Sequence, residues 1–163
     1  MTDDPHRPRT VRSTPCASCP YRTSVPSGVW APEEYAKLPA YDGDCSEQTN
    51  HAAFCCHQTG NGDHAQLCAG WVGHRDHPTD LLAVRLGLSL GTIDKSVLDY
   101  ETNTQLFDSG AAARDHGMAD IDDPGDRARE AMDKITVVRK TIGSPVLSRE
   151  DRLRKDRSLP NSD

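Results

Sequence analysis

The residues of this 163-residue chain best suited to chemistry are its six cysteines, all of which fall between Cys16 and Cys68. Cys16 and Cys19 form a C-x2-C pair in PCASCPYR. Cys56 follows in FCCHQ after 36 intervening residues, and Cys68 in LCAGW after 11 more. A C-x2-C pair presents two sulfurs from one tight turn, close enough for one metal ion or one cluster, and the fold must bring in the remaining ligands. Cys16, Cys19, Cys56 and Cys68 therefore read as a four-thiolate metal centre. Cys55 and Cys56 are adjacent and must project differently, so only one can face the metal. The choice falls on Cys56, with Cys55 as a reserve ligand or neighbour of the centre. Cys45 sits in an acidic turn and reads as a spare, exposed thiol.

Histidine widens the choice. His57, His64, His74 and His77 are near enough in sequence to replace a cysteine or to stand behind one, and His57 is the foremost of them as a metal ligand or second-layer residue. Zinc knuckles commonly pair two close cysteine pairs, and only one such pair exists here. A close pair with distant partners, and a proline directly after a ligand cysteine as in Cys19-Pro20, suits an iron-sulfur centre. The spacing thus leads to a [4Fe-4S] cluster as the expected cofactor, with zinc as the alternative. Either centre carries about two net negative charges, which Arg22 and Arg75 are placed in sequence to offset.

Other chemistry fits less well. Pro15-Cys16-Ala17-Ser18-Cys19 matches half of a zinc-deaminase signature, but the chain contains no H-x-E. No βαβ pattern surrounds the C-x2-C pair, which argues against a thioredoxin-like redox motif. Gly87-Leu88-Ser89-Leu90-Gly91 matches a nucleophile elbow in letters, but a helix-like run precedes the serine where a strand is required. Neither a phosphate-binding P-loop nor a strand-flanked dinucleotide fingerprint occurs.

The elements that must hold such a centre divide at about Trp71. Up to and including it the chain is rich in Gly, Pro, Asp and Asn and holds six of the eight aromatics, which predicts an irregular unit with one short helix from Pro32 to before Pro39. YDGD then reads as a turn, and Gly60-Asn61-Gly62 as another. After Trp71, helices are expected over 78–90 with Thr79 and Asp80 at its start, over 109–116 capped by Ser109 and ended by Gly117, and from Asp123-Pro124 to before Gly143. Ala128, Ala131, Met132, Ile135 and Val138 form an apolar stripe along the last of these. The fold class is mainly α with an irregular, loop-rich, metal-stapled N-terminal part, or a small α+β fold. One domain is expected over 14–143, between a disordered tail at 1–13 and a disordered basic tail at 144–163.

With hydrophobic residues at 35%, the core must be modest, and thiolate coordination can make metal binding part of folding. No apolar run reads as a signal or membrane span, so a cytoplasmic protein is expected. In a reducing compartment clustered cysteines favour metal over disulfides. A net charge of −6 argues against a surface that grips nucleic acid throughout. Only the basic segment Arg127 to Arg157 could touch a phosphate backbone, and the expected partner is another protein.

CASCPYR, SGVWAPEEYAKLPAYDG, FCCHQ, LCAGW and SGAAARDHGM together resemble the actinobacterial and actinophage proteins grouped as domain-of-unknown-function family 6283, over about residues 14 to 140. The resemblance supports Cys16, Cys19, Cys56 and Cys68 together with His57, Gly70 and Trp71, and implies no particular activity. Three functions remain open: a metalloprotein acting through redox sensing or regulatory binding, a structural zinc module for protein interaction, and an enzyme using an open metal position near His57.

Overall fold

The computed structural model describes residues 7–59 and 65–142. Its regular structure is helical, and the described residues contain no β-sheet, only isolated bridges. The helices are α1 (Pro32–Ala36), α2 (Ala69–Gly73), α3 (Leu82–Leu90), α4 (Gly110–Met118) and α5 (Asp126–Ile142), with 3-10 turns at Leu38–Tyr41, Pro78–Asp80 and Lys95–Asp99. The mainly α, loop-rich class expected from the sequence is what the chain adopts. The C-terminal segment expected to fray, and the turn at Gly60-Asn61-Gly62, lie outside the described residues.

The largest side chains of the core are rings. Trp30, Trp71, Tyr21 and Tyr35 are buried, and a single apolar cluster runs from Cys16 to Ile135. Each ring is fixed at its polar end or by close contact. The Trp30 indole donates to the Ser18 carbonyl (2.8 Å) and that of Trp71 to the Tyr41 carbonyl (3.1 Å). The Tyr35 hydroxyl accepts from the amides of Val29 and Trp30, both at 3.2 Å. Its ring lies so close to Gly117 that a Cβ there would stand 2.1 Å from a ring carbon. Gly117 therefore serves packing, and α4 continues one residue past it.

Helix starts follow local rules in two places and a distant residue in a third. Ser109 caps α4 by accepting from the Ala112 amide (3.1 Å), as its position predicts. Pro32 opens α1 with Glu33 and Glu34 in its first turn. The 78–90 segment breaks at Leu81, and neither Thr79 nor Asp80 caps α3. The buried Gln48 takes that role instead: its Oε1 accepts from the Leu82 amide (2.7 Å) while its Nε2 donates to the carbonyls of Asp80 (2.8 Å) and Gly43 (3.0 Å). Gly91 closes α3 in the left-handed conformation at φ 71°.

Asp42 ties three elements together. Its carboxylate accepts from the Gly110 amide at the start of α4 (2.6 Å) and from Arg75 (3.0 Å), and faces His74 Nε2 at 3.1 Å. His74 and Arg75 directly follow α2. Burial opposes ionisation of Asp42, yet the His74 ring and the amides of Gly110 and Gly43 outweigh it and hold the carboxyl well below its ordinary range.

The stretch 1–13, expected to be a disordered tail, is paired where it is described. The Arg9 amide donates to Thr92 and its carbonyl accepts from Asp94, while the Leu67 amide donates to Thr10 (2.9 Å) and the Arg12 amide to Leu67 (3.1 Å). Polar composition hid this, because the segment's backbone does the bonding and Val11 alone packs on the core.

Candidate metal centre

Two tight turns and one short ladder bring the sulfurs together. In the first turn the Cys19 amide donates to the Cys16 carbonyl (3.1 Å), and the Thr59 amide makes the same bond to Cys56 (3.1 Å) in the second. The ladder joins 54–56 to 66–68: Cys56 N–H donates to Gln66 (2.7 Å) and Cys68 N–H to Phe54 (2.8 Å). Cys68 then leads directly into α2.

Cys16, Cys19, Cys56 and Cys68 are all buried free thiols. The Sγ atoms of Cys19 and Cys68 are 3.7 Å apart. Cys16 lies between Cys19 and Cys56, and hydrogen bonds with both, Cys19 first, draw its thiol far below its ordinary pKa, with His57 adding to the effect. The opposite shift falls on its neighbours. Cys19 is pushed up by Cys16, Cys68 and burial, and Cys56 by Cys16 and burial. Crowded thiols cannot all ionise together unless a cation shares their charge.

Cys16 Sγ, Cys56 Sγ and a ring nitrogen of His57 lie within 4.8 Å of one another, a grouping able to hold a metal ion. His57 Nε2 is 3.6 Å from Cys16 Sγ and 2.9 Å from Ser18 Oγ, and its ring packs edge-on to Trp30 at 4.4 Å. The Arg12 guanidinium points at Cys56 Sγ from 3.9 Å. Gly70 completes the cradle, since a Cβ there would lie 2.3 Å from Cys19 Sγ. The donor set fits a thiophilic metal: soft sulfurs, a histidine and arginine behind them, and a wall that leaves room for sulfur.

The other candidates lie elsewhere. Cys45 is half-buried, not exposed; its thiol donates to the Asp80 carbonyl (3.2 Å) and receives Arg85 (3.5 Å). Cys55 turns toward the Ala53 carbonyl (3.8 Å), and burial pushes its thiol pKa up. His74 stacks on Tyr21 at 4.6 Å, His77 is exposed, and His64 is outside the described residues. Arg22 binds Ser24 and the Pro15 carbonyl, and Arg75 binds Asp42, so neither offsets the sulfur charge by contact. Arg12 was overlooked because its segment reads as a tail; apolar Val11 beside it was the available signal. Ser89 lies within α3 and donates to the Arg85 carbonyl, without the strand-turn-helix setting of a nucleophile elbow.

Residues 11–140 match the family described as "Family of unknown function (DUF6283)". The chain belongs to this family. The DUF6283 match spans all six cysteines, Arg12, Gly70 and nearly all of α5, so the whole sulfur cradle and its surroundings lie within the family's extent. No curated protein and no solved structure matches the chain.

Proposed function

We propose that this DUF6283 protein is a small metalloprotein in which Cys16, Cys19, Cys56 and Cys68 hold one tetrahedral metal ion, zinc being the best fit, as the staple of a module that binds another protein. The observation that carries this reading is one sulfur pair, Cys19 and Cys68, beside the close group of Cys16, Cys56 and His57. Zinc–sulfur bonds of about 2.3 Å give a tetrahedron with edges of about 3.8 Å, and Cys19 and Cys68 stand 3.7 Å apart. In a four-iron cluster each thiolate holds a different iron, so the sulfurs must spread further. Cys19-Pro20 still supports the [4Fe-4S] alternative.

The residues around the sulfurs have definable tasks in this reading. A divalent ion on four thiolates leaves about two negative charges, which Arg12 and the His57 ring face directly. Ser18 orients His57, and Trp30 fixes the loop that carries Ser18. A bound metal supplies cross-linking of four chain positions, and the reducing cytoplasm keeps the thiols available for it. With the four sulfurs as a closed ligand set, the centre is structural and not catalytic.

Metal analysis of protein purified without oxygen tests both metals. Colourless protein with one zinc per chain is expected. Replacement of Cys16, Cys19, Cys56 or Cys68 by Ser should each remove the metal, whereas Cys45→Ser and Cys55→Ser should retain it. Brown protein with broad absorbance near roughly 400 nm would replace zinc with an iron-sulfur centre. Metal loss on Cys55→Ser would overturn the ligand set.

A further inference from the structure

His57 also lines a second feature, a pocket of about 110 Å³ that opens to solvent and includes Cys55 in its wall. Its apolar walls are Trp30, Tyr41 and Phe54, and Glu34 and Lys37 of the α1 region stand at its rim. The rings of Tyr41 and Phe54 meet at 81°, with centroids 4.9 Å apart. A flat ligand needs parallel faces to stack between, whereas walls at right angles form a corner that suits a rounded group. Aromatic faces carry negative charge density, and a methylated ammonium ion, with its charge spread over its methyls, is the rounded group they hold best.

The chain already places a cation there. Lys37 Nζ lies 5.8 Å from the Phe54 ring centroid and is tethered to the Glu34 carboxylate. This ammonium is a stand-in of poor fit, because it stays hydrated at the rim with 39% of its side chain exposed. Glu34 is the counter-charge that an incoming cation would use.

We propose that this pocket binds a trimethylammonium group, with Trp30, Tyr41 and Phe54 against its methyls and Glu34 balancing its charge. No sulfur of the proposed centre lines the pocket, and His57 borders both sites. Free choline and a trimethyllysine side chain present the same chemistry, and the pocket's open rim admits either.

The test is titration of the full-length protein with choline, followed by ring-proton resonances of Tyr41 and Phe54. Choline should shift both, and its neutral isostere 3,3-dimethylbutan-1-ol should bind about tenfold more weakly. Lys37→Gln removes the internal competitor and frees Glu34, so it should tighten choline binding, while Phe54→Leu and Glu34→Gln should each weaken it about tenfold. A peptide carrying trimethyllysine that binds more tightly than choline would make the source a protein side chain; choline binding without peptide binding would make it a small molecule. Equal binding of choline and the neutral isostere, weaker choline binding by Lys37→Gln, preference for benzoate, or no shift in either the native or the Lys37→Gln protein would each overturn the proposal. Lys37→Gln changes a partly exposed side chain, so the test stands even if Phe54→Leu does not fold.

Discussion

Gly70 illustrates how a sulfur site depends on an atom that is left out. The nearest heavy atoms to a Cβ at this position would be Cys19 Sγ at 2.3 Å and Tyr21 Cβ at 3.1 Å. Because the Tyr21 ring is buried and held by Phe54 and His74, the sulfur must move instead. Gly70→Ala should therefore impair metal retention in a chelator competition and lower stability by ~1–3 kcal/mol in urea unfolding, the usual cost of overpacking; unchanged metal affinity would show that the Cys19 sulfur has slack. The sulfurs and His57 were legible as candidates because C-x2-C and aromatic-flanked cysteines are local signals. Arg12 was not, because its contact with Cys56 bridges 44 residues. Nor could the sequence place Cys45, whose bonds to Asp80 and Arg85 come from the start of a helix far along the chain.

Among the elements, the short helices are held in place by polar groups from outside them. Asp42 joins the end of α2 to the start of α4 through Arg75, His74 and the Gly110 amide. Asp42→Asn keeps the shape but leaves Arg75 without its carboxylate, and should cost about 3 kcal/mol at neutral pH by the measure of a broken buried pair. The carboxyl pKa is depressed on folding, so its stabilisation is complete above the unfolded value of about 3.9 and is lost as pH falls through the lower folded value. Urea midpoints of native protein and Asp42→Asn should thus converge as pH drops below about 4; a gap that stays constant with pH would remove the charge from the explanation. Helix α5 was readable from its apolar stripe, of which Ala128, Met132 and Ile135 are buried. The start of α3 was not, because Gln48, 34 residues away, supplies its cap. Periodicity reports one element's own face, and a partner recruited across a loop leaves no mark beside it.

For the whole molecule, the four buried cysteines share one apolar cluster with the rings and the aliphatic side chains. The metal reading makes stability depend on the ion in a quantitative way. Chelation under reducing conditions should remove at least about 4 kcal/mol, the linkage expected when free metal exceeds its Kd a thousandfold. Thermal unfolding with and without chelator measures this, and a midpoint indifferent to chelator would leave the thiols without a structural ion. No helix among the described residues is long and apolar enough to cross a membrane. Helix α5 lies over the Cys16–Cys19 turn: Ala131, Ile135 and Val138 face Ala17 and Ser18 across a cleft of about 80 Å³. This arrangement sets an order of events during synthesis. Every cysteine leaves the ribosome before α5 exists, so the thiols can take up an ion while their turn is still open, and the last helix to be made then closes over it.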